Sequence, residues 1–166
     1  MPVMRKTDSL IFFDDSSDQI VELCASVLLT FSKYRQKRCW HKEAGGQLFA
    51  KISNDAIFIQ KATPPRSGDR RGRFLFWPNR VAEQTEIDLE FANGLHYVGD
   101  WHTHPQRIPK MSSTDKRNIQ KCFSMSDHDL SAFLMIIVGN APFPQGLSVS
   151  LHSSAQVFSL QPEPAS

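Results

Sequence analysis

Cysteine is scarce in this chain, and what there is follows no pattern. Cys24, Cys39 and Cys122 are three in number and lack any Cys-x-x-Cys spacing. That excludes a disulfide framework and a cysteine-bound zinc cluster, and it fits reduced thiols. An excess of one charge is lacking too. The formal net charge of +2 is too small to argue for nucleic acid or a membrane as partner. No apolar run approaches the roughly 20 residues needed to cross a bilayer. The N-terminal MPVMRKTDSL has no apolar segment of a secretory signal. A cytoplasmic location is the expectation left by elimination. Internal repeats and linker-like stretches are missing as well. The 166 residues are therefore expected to form one domain with a sizeable core. Its expected span is residues 8–160, between flexible termini at 1–7 and 161–166, as a monomer or weak dimer.

What is present converges on Tyr97 to Asp115, YVGDWHTHPQRIPKMSSTD. His102 and His104 stand two residues apart. Side chains alternate between the faces of a strand, so these imidazoles point the same way. Residues 97–101 read as that strand, and Pro105 ends it because proline cannot continue an interior ladder. Ser112-x-x-Asp115 then opens a helical run as a capping box, with Asp115 projecting from the first turn. Two histidines and a carboxylate make the three-ligand set of a catalytic zinc site, which keeps a fourth position for water. Either half alone is weak: an exposed strand carries His-x-His by accident, and Ser-x-x-Asp is first of all a helix cap. Together at this spacing they arise by chance in about one such chain in 10⁴.

Around this stretch, strands and helices alternate. Residues 9–13 read as a short strand. Ser16-x-x-Gln19 offers a second capping box. Ile20, Leu23, Cys24, Val27, Leu28, Phe31 and Tyr34 recur at three-and-four spacing, which predicts one amphipathic helix from Ile20 onward. Residues 43–52 and 56–62 read as a hairpin turning at Ser53-Asn54-Asp55. Gly45-Gly46 weakens the first of these strands unless something approaches closely there: a substrate backbone, a water or a bulge. Residues 63–73, TPPRSGDRRGR, read as a loop, either plain surface or a basic flap toward an acidic partner. Residues 74–77 read as a strand. Pro78 is expected as the first residue of an acidic helix that ends at Asn93-Gly94. Residues 132–138 are the most apolar run and read as a central strand, with two more at 147–152 and 156–160. The interleaving predicts a mixed α/β sandwich.

His102-Thr103-His104-Pro105 followed by Ser112-x-x-Asp115 resembles the JAMM motif of the JAB/MPN metalloproteases. That family also carries a glutamate just before a Gly-Gly pair on a strand, and here stands Glu43-Ala44-Gly45-Gly46. All five motif positions are matched, and the likeness in element order runs from about Ser9 to Leu160. Gly99-Asp100-Trp101-His102 resembles the small bacterial branch; eukaryotic members tend to have an apolar or aromatic residue where Asp100 stands. The resemblance implies the MPN fold, a cytidine-deaminase-like sandwich with a curved sheet flanked by helices and the metal at one sheet edge. It implies Zn2+ held by His102, His104 and Asp115. It further implies Glu43 as the group that ferries a proton from water to the leaving amine, and Ser112 as a donor to the oxyanion. From the residues alone, Glu43 could instead be the third ligand, with Asp115 left as a cap, and Ser112 a simple cap. Asp100 is expected on the face of His102 and His104, as acceptor for a ligand imidazole N–H. His41, His96, His128 and His152 have no motif around them and read as surface or core residues.

The implied activity is hydrolysis of the peptide or isopeptide bond after the C-terminus of a ubiquitin-like modifier. In bacteria, members of this branch accompany antiphage systems built around a cGAS-like nucleotidyltransferase. The implied partners are a protein with a ubiquitin-like tail and its conjugate with such a nucleotidyltransferase. The tail would lie beside the zinc, added to a sheet edge as an extra strand, with the Gly45-Gly46 strand or the arginine loop lining it. A peptidase that trims a sulfur-carrier tail shares every one of these residues. A non-catalytic MPN scaffold is the third reading; such members usually lack part of the motif, and this chain lacks none. Barrel amidohydrolases, which also use His-x-His, need a far longer chain.

Overall fold

Eight strands hydrogen-bond in a ring among the described residues, and helices pack inside and outside it. The computed structural model describes residues 8–16 and 18–164. Around the ring the order is β1 (Leu10–Phe13), β10 (Val157–Pro162), β9 (Leu147–His152), β8 (Phe133–Val138), β7 (His96–Thr103), β3 (Gly45–Ile52), β4 (Ala56–Ala62) and β2 (Ile20–Leu23), which returns to β1. β5 (Arg70–Gly72) and β6 (Leu75–Trp77) form a separate hairpin, and the helices are α1 (Ala25–Tyr34), α2 (Arg80–Ala92) and α3 (Ser113–Met125). The mixed α/β class holds. The main sheet, however, is a closed barrel and not the curved layer of a sandwich.

Closure depends on β2. Spacing alone put Ile20 and Leu23 on a helix, but the segment is extended. It pairs antiparallel with β1 and parallel with β4, Val21 opposite Ile57 and Leu23 opposite Ile59. Val21 and Leu23 also alternate as a strand does, and both are fully buried. Filling the gap between β1 and β4 satisfies backbone groups on both sides, which outweighs a weak local preference. The helix starts only at Ala25, with Cys24 as its cap residue.

All eight ring strands contribute to one apolar cluster, so that cluster is the barrel interior, and Val27, Leu28 and Phe31 of α1 plug it. Trp101 lies there against Phe31, ring centroids 5.1 Å apart, and its indole N–H donates to Thr63 O at 2.9 Å. Outside the barrel, Ile119 of α3 packs on Phe133, Met135 and Ile137 of β8. Covered on both faces, β8 has no polar position to alternate with.

A bulge in β7 sets what its outer face presents. Leu48 pairs with Gly99 but Phe49 pairs with Tyr97, so Val98 is the extra residue. Tyr97 and Asp100, three apart, thereby share a face with His102. Gly99 has φ +151°, and a Cβ there would lie 1.8 Å from Leu134 O; only glycine fits. The close approach at Gly45-Gly46 is made by the chain itself. A Cβ on Gly46 would meet Thr63 O at 2.0 Å, and one on Gly45 would meet the Phe76 ring at 2.7 Å.

Other expectations shift at element ends. Pro78 lies before the α2 cap, and Asn79 is the cap, its side chain accepting from Val81 N and Ala82 N. The inward face of α2 carries Glu83, paired with Arg80 at 2.9 Å, and Glu90, paired with Lys61, while Val81 and Leu89 face solvent. Gln161 and Pro162 belong to β10, opposite Phe13 and Phe12, so the ordered domain runs beyond the expected edge at 160. Residues 1–7 and 165–166 lie outside the described residues. No described helix is long and apolar enough to cross a membrane.

Candidate metal centre

The antiparallel register of β3 and β7 builds half of the site. Gly45 stands opposite His102 and Gln47 opposite Asp100. The ladder continues through Thr103 N to Ala44 O at 2.8 Å and Ala44 N to Thr103 Oγ1 at 3.0 Å. One step on, Glu43 comes level with His104, and alternation puts both on the outer face with His102.

α3 supplies the other half from its first turn. Ser112 Oγ accepts from Asp115 N at 3.0 Å, and Asp115 Oδ2 accepts from Ser112 N at 2.9 Å. The box is therefore formed in both directions. The same carboxylate faces the histidines. Its Oδ1 lies 3.3 Å from His102 Nε2 and its Oδ2 lies 3.3 Å from His104 Nε2, while the two Nε2 atoms are 3.2 Å apart. Cap and candidate ligand are one arrangement.

The histidine pair is spaced for a metal ion, and each of its Nε2 atoms faces a different oxygen of Asp115. A tetrahedral cation bonded at about 2.05 Å needs ligand atoms about 3.3 Å apart. Glu43 also stands in range: one of its oxygens and the two histidine nitrogens all lie within 4.8 Å of one another. Two carboxylates, one from each half of the site, thus flank the histidine pair.

The two carboxylates differ electrostatically. Burial pushes Glu43 up, nearby Asp115 adds to this, and the two histidines pull the other way without cancelling it. Burial would raise Asp115 as well, but hydrogen bonds with His102 and His104 and from Ser112 N–H win, holding it well below the usual carboxylate range. His104 is lowered by burial and raised more by Asp115, so its net shift is upward.

Asp100 does not meet an imidazole. Its Oδ1 accepts from Tyr97 OH at 2.9 Å, because the bulge at Val98 brings Tyr97 onto the same face. Burial, then the Glu83 charge, push the Asp100 carboxyl up to about 7. The residue that does face one of these imidazoles is Gln106, whose Oε1 is 3.3 Å from His104 Nδ1. The arginine segment has structural work close by. Glu43 N donates to Gly72 O at 2.6 Å, and Arg71 Nε donates to Glu43 O at 2.9 Å. Strand β5 thus fastens the backbone of Glu43, and Arg66 pairs with Glu86. β3 has a neighbour on each side, so it offers no free edge for an added strand. His41, His96, His128 and His152 stand apart from the donor group. A cavity of about 110 Å³ opens between Glu43, His102, Asp115 and the polar wall of Arg80, Glu83 and Asp100. An open trough of about 450 Å³ continues from it between β6 and α3, past Phe76, Trp77, Lys121 and Met125.

The family described as prokaryotic homologs of the JAB domain matches residues 25–151. The chain belongs to that family. A JAB relative from Vibrio cholerae serotype O1, named CD-NTase/cGAS isopeptidase, is 30% identical over 82% of this chain and 87% of its own. An Escherichia coli relative of the same name is 28% identical over 80% of this chain and 83% of its own. A probable metalloprotease of Sinorhizobium fredii is 31% identical over 62% of this chain and 66% of its own. The solution structure of a Desulfitobacterium hafniense protein shares the fold, with TM-score 0.60 at 19% identity, over 82% of this chain and 87% of that one.

Proposed function

We propose that this JAB protein is a zinc-dependent isopeptidase that cleaves after the C-terminus of a ubiquitin-like modifier, freeing a conjugated cGAS-like nucleotidyltransferase in a bacterial antiphage system. The observation that carries the reading is the facing set of His102, His104 and Asp115 at 3.2–3.3 Å, with Glu43 alongside. The relatives named CD-NTase/cGAS isopeptidase support the substrate class. His102, His104 and Asp115 would hold zinc, and Glu43 would stay free of it.

When bound, zinc polarises the scissile carbonyl and brings the pKa of water toward neutrality. Glu43 takes a proton from the attacking water and delivers it to the lysine amine as the C–N bond breaks. One carboxylate in reach of both performs both steps, and its raised pKa suits the second. Ser112 Oγ already accepts from Asp115 N, which leaves its own O–H to donate to the oxyanion. The trough between β6 and α3 gives an extended modifier tail a path to the carbonyl, with Trp77 and Met125 as apolar contacts.

The test is cleavage of modifier–nucleotidyltransferase conjugates and modifier fusions by the purified protein, with and without a chelator. Release that stops with chelator and in Glu43→Gln supports the reading. Equal release by wild type and Glu43→Gln, or none from any conjugate by zinc-loaded wild type, contradicts it.

A further inference from the structure

Pro105 ends the ladder of β7, and the residue after it turns back on His104. Gln106 Oε1 lies 3.3 Å from His104 Nδ1. A side-chain amide can present oxygen or nitrogen, and its other contacts decide which. Lys110 N–H donates to this same atom at 3.0 Å, so the atom facing the imidazole is the oxygen. An oxygen there requires the proton on Nδ1. The neutral ring then keeps its lone pair on Nε2, the atom 3.3 Å from Asp115 Oδ2 and 3.2 Å from His102 Nε2.

Gln106 is solvent-exposed, yet its backbone is pinned. Its carbonyl accepts from Asn140 N at 2.8 Å, and Arg107 O accepts from Ala141 N at 3.0 Å. The turn packs so closely on this segment that a Cβ on Gly139 would lie 2.7 Å from both carbonyl oxygens. The side chain is thus aimed by the turn at 139–141 and by Lys110.

We propose that Gln106 is a positioning residue that fixes the tautomer and ring direction of His104 and so strengthens zinc binding. The inference rests on the reading of His104 as a zinc ligand and adds a residue outside the five motif positions.

Metal-stripped full-length protein, wild type beside Gln106→Ala and Gln106→Glu, is titrated with Zn2+ against a chromogenic chelator, and the melting temperature of each metal-free form is recorded. Losing the acceptor behind a ligand histidine weakens metal binding by about 10–100-fold. That loss is expected in Gln106→Ala with its metal-free melting temperature unchanged. Gln106→Glu keeps an oxygen for both Nδ1 and Lys110 N, and recovery of most of the affinity is expected. Equal affinity in wild type and Gln106→Ala overturns the proposal, as does a Gln106→Glu variant as weak as Gln106→Ala. A metal-free melting temperature that falls with the affinity also overturns it, by assigning Gln106 to loop folding. Wild type that takes up no zinc overturns the metalloprotease reading itself, a separate outcome.

Discussion

β7 and β8 run side by side and parallel in the same barrel, yet only β7 carries residues of the candidate site. β8 is buried at all six positions, with α1 and the barrel interior on one side and Ile119 of α3 on the other. β7 buries Trp101 and Thr103 and turns Asp100, His102 and, just beyond it, His104 outward. One helix explains the difference. The apolar flank of α3 seals β8, while its first turn reaches β7 and delivers Asp115. The candidate site thus sits where the cover ends, and one helix packs Ile119 on β8 while it brings Asp115 to the histidines of β7.

Four substitutions sharpen that contrast. The largest effect is expected at the outer face: Glu43→Gln lowers turnover by about 10²–10⁴-fold, while the melting temperature stays that of wild type. Ser112→Ala comes next. Loss of an oxyanion donor costs about 10²–10³-fold in kcat, and loss of the cap costs about 1 kcal/mol of stability. A stability loss with unchanged kcat would leave Ser112 as a cap only. On the far side of β8, β9 holds His152 fully buried, with Nε2 2.8 Å from Ser150 Oγ. Burial, then Lys116, lower its pKa from 6.5 to about 4. The unfolded chain therefore binds this proton more readily than the folded one. Stability from a neutral His152 is present above pH 6.5 and is lost as pH falls toward about 4, by up to about 3 kcal/mol. Denaturation at pH 7 and pH 4 should show a smaller acid loss in His152→Gln than in wild type. The smallest effect is expected within β8: Ile136→Val costs about 1 kcal/mol of stability with kcat unchanged.

Much of this is legible in the sequence, for reasons that are local. Period-two alternation puts His102 and His104 on one face, and Ser112-x-x-Asp115 does form its box in both directions. What escaped is non-local. The parallel partner of β2 is β4, reached across α1 and β3, and Ile20-Val21-Glu22-Leu23 is too short to declare its own period. Strict alternation separates Tyr97 from Asp100, and only a bulge, invisible in composition, reunites them. Gln106 left one faint signal, a polar residue directly after the motif proline. Its meaning came from Lys110 N and the turn at 139–141. The arginines of residues 66–73 read as plain surface or a basic flap, because a backbone clamp on Glu43 leaves no mark in the sequence.

In the proposed zinc site Asp115, and not Glu43, joins the two histidines. Zinc content per chain, measured by elemental mass spectrometry on wild type, Asp115→Ala and Glu43→Gln purified alike, tests it most directly. One zinc per chain is expected in wild type and in Glu43→Gln, and a large loss in Asp115→Ala. Zinc kept by Asp115→Ala and lost by Glu43→Gln would contradict it.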